Sequence, residues 1–175
     1  MTMSPRAVAL VLVSTLSAAG VLDGLSASGA PVPQQSAPVV ELVGLTGQHR
    51  TVGVADLIKL PQVSATVSSH NVQGTYRGVS LGELLRLVER PEGKALRGKA
   101  LATAISIEAA DGYRVAFALA EVDSGLTNKV IYLADAKNGA PLDTAEGPFR
   151  VVAPDDKAPA RWVKKVVRIR LVPVD

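Results

Sequence analysis

Gln73-Gly74-Thr75-Tyr76-Arg77-Gly78-Val79-Ser80-Leu81-Gly82-Glu83-Leu84-Leu85-Arg86-Leu87-Val88-Glu89 joins an extended stretch to a helix. Gln73 to Arg77 reads as a strand. Leu81 to Glu89 is predicted helical: Ser80 is a suitable cap, Glu83 stands at the partner position of a capping box, and Leu81, Leu84, Leu85 and Val88 form one apolar face. Such a helix packs on a core and carries no chemistry.

Working outward, strands dominate. Upstream, Val63 to Val67 looks extended, Val54 to Leu60 reads as a short helix stopped by Pro61, and Val39 to Leu45 with Gln48 to Val52 form a hairpin around Thr46-Gly47. Downstream, strands are expected at Ala104 to Ala109 and Tyr113 to Leu119, turning at Asp111-Gly112, then at Val130 to Ala134, Phe149 to Val152 and Val166 to Val172. Asn138-Gly139 is a tight-turn signal, because both central positions of that turn need positive φ. The strands do not alternate with long helices. A doubly wound parallel sheet is therefore disfavoured, and an α+β, mainly antiparallel fold is expected.

The amino terminus reads as an export signal. A single Arg6 precedes an apolar run from Ala7 to Leu16, and small residues follow through Ala30. The run is short of the roughly 20 residues of a spanning helix, and Gly20, Asp23 and Gly24 interrupt it. The expected organisation is a signal peptide over 1–28, cut between Gly20 and Gly29, a proline-rich linker over 29–38 and one folded unit over 39–175; an uncleaved anchor is the other reading. The destination is then periplasmic or extracellular, with no stable membrane span after processing.

Composition fits one packed domain: 175 residues, 47% hydrophobic, 19 Lys and Arg against 16 Asp and Glu, a net charge of +3. Removing 1–28 takes one Arg and one Asp, so the basic balance belongs to the folded unit. Lys157, Arg161, Lys164, Lys165, Arg168 and Arg170 follow one another with no acid between them. Nucleic acid is disfavoured as the partner, because one Trp, three Tyr and two Phe leave few stacking platforms. Val167, Ile169 and Leu171 alternate with Arg168 and Arg170, as in a strand with one solvated face; Arg161 and Lys164 lie outside that alternation.

Several chemistries are excluded. The chain has no cysteine, which removes disulfides, thiol catalysis and thiolate-bound metals, and its two histidines are too few for a three-histidine site. There is no GxGxxG or phosphate loop. Glu41, Glu83 and Glu108 read as solvated or capping residues, and Asp155-Asp156 as solvating a proline-bounded loop.

The order Tyr76-Arg77-Gly78-Val79-Ser80-Leu81, Ala110-Asp111-Gly112-Tyr113, Leu133-Ala134, Asn138-Gly139-Ala140-Pro141-Leu142, Gly147-Pro148-Phe149-Arg150-Val151-Val152-Ala153-Pro154 and Ala160-Arg161-Trp162-Val163-Lys164 resembles the oxidoreductase molybdopterin-binding domain of the sulfite oxidase fold. The resemblance runs from about Val39 to Leu171. It implies a mixed, mainly β domain with few short helices and a cleft in which a molybdenum cofactor is held by backbone groups and basic side chains. It also implies oxygen-atom transfer on small oxygen-bearing or anionic substrates.

On this resemblance Arg150 and the Arg161 to Lys164 segment fall near the pterin, with Lys157 and His70 as additions; Arg150 is equally readable as an outward strand residue. The family's metal-binding cysteine falls in the Thr66 to His70 stretch, which reads Thr66-Val67-Ser68-Ser69-His70. Ser69 and His70 are the residues that can stand in as ligands there, although neither matches the family's motif and both read more simply as polar residues beside a turn. A serine hydroxyl holds its proton far more tightly than a thiol. Two functions follow: a molybdopterin-dependent oxidoreductase with an altered metal ligand, or a non-catalytic relative that binds a small anion, a pterin-like ligand or a partner protein. No haem CxxCH signature points to a redox partner.

Overall fold

A computed structural model of the chain describes residues 37–69 and 72–174, which belong to the second of its two units, 1–35 and 36–175. The signal sequence expected over 1–28, most of the linker expected over 29–38, and His70 lie outside the described residues. In chain order the elements are β1 (Val39–Val43), β2 (His49–Gly53), α1 (Val54–Leu57), β3 (Gln62–Ser69), β4 (Val72–Ser80), α2 (Leu81–Arg86), β5 (Thr103–Ala109), β6 (Arg114–Ala118), β7 (Tyr132–Lys137), β8 (Ala140–Pro141), β9 (Arg150–Val152) and β10 (Val166–Pro173). They form two sheets, ordered β2-β1-β10-β5-β6 and β3-β4-β7-β8, with β9 also on β7. Apart from the parallel pair of β1 and β10, the ladders among the described residues are antiparallel. The mixed, mainly β class expected from the sequence is the one observed.

Local chemistry explains most boundaries. Gly47, Gly112 and the Asn138-Gly139 pair take positive φ at the three expected turns. Ser80 Oγ accepts a hydrogen bond from the Glu83 amide at 3.2 Å and caps α2. Only this half of the expected capping box forms, because the Glu83 carboxylate binds Arg86 at 2.6 Å instead. The helix closes at Glu89, which adopts φ 55° while the Glu89 amide donates to Arg86 O and the Arg90 amide to Leu85 O. That is a Schellman arrangement with glutamate where glycine is usual. Leu81, Leu84, Leu85 and Val88 are fully buried, as the apolar face predicted.

Two expectations need correction. On β10 the buried residues are Val166, Ile169 and Leu171, whereas Val167 is 40% exposed. The register on β5 shifts between Val166 and Arg168, and this bulge reverses the alternation at its start. The strand expected over Val130 to Ala134 starts at Tyr132 and runs to Lys137, further than its hydrophobic run. Here too the register shifts, where Arg77 faces Ala136 but Gly78 faces Ala134, so that Asp135 is the extra residue.

β4 and β7 come closest at that bulge. A Cβ at position 78 would collide with Leu133 O and Ala134 Cα, so the position demands glycine. Gly78→Ala is expected to cost about 2–4 kcal/mol of stability through forced separation of two buried strands. Urea unfolding checks this, and a loss within experimental error of wild type would contradict the close approach.

Candidate functional site

Arg150 opens β9, pairs with Ala134 of β7, and is 1% exposed, not the outward strand residue that the sequence also allowed. Burial of a guanidinium is tolerable only with a counter-charge and stacking surfaces. Both are present. Arg150 Nη1 lies 2.7 Å from Glu146 Oε1 and donates to Tyr76 Oη at 3.3 Å. The guanidinium carbon stands 5.4 Å from the Tyr76 ring centre and 5.8 Å from that of Trp162. Tyr76 donates its hydroxyl proton to Glu146 Oε2 at 2.8 Å, and Lys137 Nζ donates to Glu146 Oε1 at 3.3 Å. One carboxylate therefore serves two cations and a phenol.

The electrostatics follow from this crowding. Burial pushes the Glu146 carboxyl up, but the bonds from Tyr76 and Arg150 and the charge of Arg150 outweigh it, leaving it below the usual carboxylate range. Burial raises the Tyr76 hydroxyl. Burial also pushes the neighbouring Tyr132 hydroxyl up to about 12, where it stays protonated. Tyr132 Oη and Arg150 Nε are buried without a hydrogen-bond partner.

Arg161, in the 3-10 turn Pro159–Arg161, is held separately. Its Nε and Nη2 donate to the two oxygens of Asp156 at 3.0 and 2.6 Å, and Nη1 lies 3.4 Å from Glu121 Oε1. Its guanidinium carbon sits 4.1 Å from the Phe117 ring centre. The bond to Asp156 raises its pKa further. Asp156, expected to solvate a loop, is the partner of Arg161.

Lys164 is exposed and lines a groove of about 210 Å³ with Asp111, Tyr113, Ala160 and Trp162. Lys157 is exposed in the loop after β9. Ser69 ends β3, and His70 lies outside the described residues. Among the sequence candidates, Trp162 of the Arg161 to Lys164 segment stacks on Arg150 and lines the Lys164 groove, while Arg161 turns toward Phe117. Tyr76, Lys137 and Glu146 were not candidates. Tyr76 stood in the quoted stretch as a strand residue, and the four-residue spacing of Glu146 and Arg150 lies in a loop, where spacing carries no signal.

The rest of the basic run is also partly consumed. Arg168 Nε donates to Glu41 at 2.6 Å and its Nη1 lies 3.6 Å from Glu108, in a row that crosses the sheet from His49 through Glu41, Arg168 and Glu108 to Arg114. Glu41 and Glu108 are thus ladder members and not simply solvated. Glu146→Gln should cost about 2–4 kcal/mol at neutral pH, because a buried guanidinium loses its counter-charge. Since the folded Glu146 pKa lies below its ordinary 4.5, this contribution is fully present above about pH 4.5 and is lost as the pH falls through the folded value. Wild-type and variant stabilities, measured by denaturant unfolding across that range, should converge in acid. A pH-independent difference would contradict the pairing.

The fold resembles a known crystal structure, the sulfane dehydrogenase SoxCD from Paracoccus pantotrophus, with a TM-score of 0.58 and 20% sequence identity. The match covers 77% of this chain and 38% of that one, so this chain spans well under half of the protein it resembles. No curated protein matches the sequence. The family model described as the oxidoreductase molybdopterin binding domain matches residues 29–175. With most of its length inside that match, the chain belongs to the oxidoreductase molybdopterin-binding domain family.

Proposed function

We propose that the chain is an exported, non-catalytic member of this family, a binding domain for a small oxygen-bearing anion that carries no molybdenum. The residues present do not fit the metal end of the cofactor. The sequence supplies no thiolate, and no three His, Asp or Glu residues gather into a metal site among the described residues. The pterin end fares no better. Basic side chains would hold its phosphate, yet the two arginines that the resemblance assigns to it are taken by carboxylates of the same chain.

That occupation carries the proposal. Arg150 is sealed beneath Tyr76 and Trp162 with Glu146, and Arg161 is clamped by Asp156. An incoming anion would have to displace a carboxylate already bonded to each. Lys164, exposed beside its groove, is placed to meet a small anion from solvent. Oxygen-atom transfer, implied by the resemblance, would have no thiolate ligand to support it here. Export rests on the amino-terminal pattern of 1–28.

Protein isolated from cells able to make the cofactor should contain neither molybdenum by mass spectrometry nor pterin by fluorescence after oxidative release. Stoichiometric amounts of both would overturn the reading. In the same preparation, Lys164→Ala should weaken binding of sulfite or sulfate by calorimetry while leaving the unfolding midpoint unchanged. Unaltered binding would move the anion site elsewhere.

A further inference from the structure

Antiparallel sheets leave edges, and exposed edges are normally blunted by charge, proline, a bulge or short length. Four edges among the described residues are blunted. β2 carries His49 and Arg50, β6 opens on Arg114, β8 is two residues ending on Pro141, and β9 is three residues long. β3 is not. Its eight residues, Gln-Val-Ser-Ala-Thr-Val-Ser-Ser, contain no charge, proline or glycine, and they pair with β4 with no register shift from Gln62 to Ser69.

The direction of the free groups can be read from β4. The Thr75 amide donates to Asn138 Oδ1 and Thr75 O accepts from the Asn138 amide, so the Thr75 backbone faces away from β3. Thr66 and Thr75 are therefore a non-hydrogen-bonded pair, which agrees with their hydroxyls meeting at 2.8 Å. Alternation then turns the N–H and C=O groups of Gln62, Ser64, Thr66 and Ser68 outward. Among the described residues, no backbone hydrogen bond outside the β3–β4 ladder uses them. Ser64, Thr66 and Ser68 are exposed, whereas Val63, Ala65 and Val67 turn toward the core.

We propose that the β3 edge pairs with the β3 edge of a second copy of this chain, antiparallel and two-fold about Ala65, joining two sheets into one. In that register the outward groups of Gln62 meet those of Ser68, and those of Ser64 meet those of Thr66, giving about eight backbone hydrogen bonds. Val63 faces Val67 on the core side and Ser64 faces Thr66 on the exposed side, so apolar meets apolar and hydroxyl meets hydroxyl. A second copy is favoured over a charged strand by charge itself. An uncharged strand meets its own copy without repulsion. The nearest cation on that face, Arg77 opposite Ser64, lies about 16 Å from its counterpart, at strand spacings of about 4.8 Å and a rise of about 3.3 Å. That exceeds the ~10 Å screening length at about 0.1 M salt. The pairing does not depend on the proposed anion binding.

Sedimentation velocity from micromolar to millimolar protein should show a reversible monomer–dimer equilibrium, and the Ser64 and Thr66 amides should gain hydrogen-exchange protection with concentration. The double variant Ser64→Lys, Thr66→Lys places lysine opposite lysine in the dimer and should raise the dissociation constant about tenfold or more. Ser64→Glu with Thr66→Lys places unlike charges opposite and should dimerise at least as tightly as wild type, with added salt dependence. All these side chains are exposed, so unfolding midpoints report whether each monomer is intact. A wild type that stays monomeric at millimolar concentration overturns the proposal, as does a double-lysine variant with an intact fold that dimerises like wild type.

Discussion

A guanidinium that is 1% exposed sets the terms for one half of this molecule. Arg150 can stay charged inside only because Glu146 supplies the counter-charge and two rings supply polarisable surface. Each partner comes from a different part of the chain: Tyr76 from β4, Lys137 from β7, Glu146 from the loop before β9, Trp162 from the turn before β10. The network therefore ties these pieces together against β7. The bulge at Asp135 and the bare Gly78 belong to the same constraint, since they let β4 and β7 approach closely enough for Tyr76 and Lys137 to share one carboxylate. A second buried pair, Arg90 with Asp123 at 3.1 Å, plays a similar role where the chain leaves α2.

How much of this could be read beforehand depends on whether the signal was local. The hairpin turns at Thr46-Gly47, Asp111-Gly112 and Asn138-Gly139 and the apolar face of α2 follow from short-range rules, and the structure has them where expected. The β10 alternation failed at Val167 and the β7 boundary failed at Lys137 for one reason. Both involve bulges, which are set by the partner strand and leave no mark in the strand's own sequence. The candidate site was legible as residue types and not as relations. Arg150 and Arg161 were named from the resemblance, but of their partners Tyr76 is distant in sequence, and Glu146 and Asp156, four and five residues away, stand in irregular segments where spacing carries no signal. The positive run reads as a solvated strand face preceded by residues that the resemblance sets near the pterin, yet two of its arginines, Arg161 and Arg168, are bound by acids from outside the run.

The family relationship and the site chemistry thus point in different directions, and the difference is physical. Membership rests on fold and motif order across residues 29–175. Cofactor chemistry needs a soft anionic donor for the metal and uncommitted cations for the phosphate. The chain keeps the fold, while carboxylates of its own stand on Arg150 and Arg161, the arginines that the resemblance places near the pterin. A domain arranged in this way needs no cofactor to offset its buried positive charge.

Thermal unfolding of protein made in cells with and without the capacity to synthesise molybdopterin tests this self-sufficiency most directly. A ligand that binds only the folded state raises the unfolding midpoint. The two preparations should unfold at the same temperature with superimposable profiles. A higher midpoint for protein from cofactor-producing cells would contradict the account.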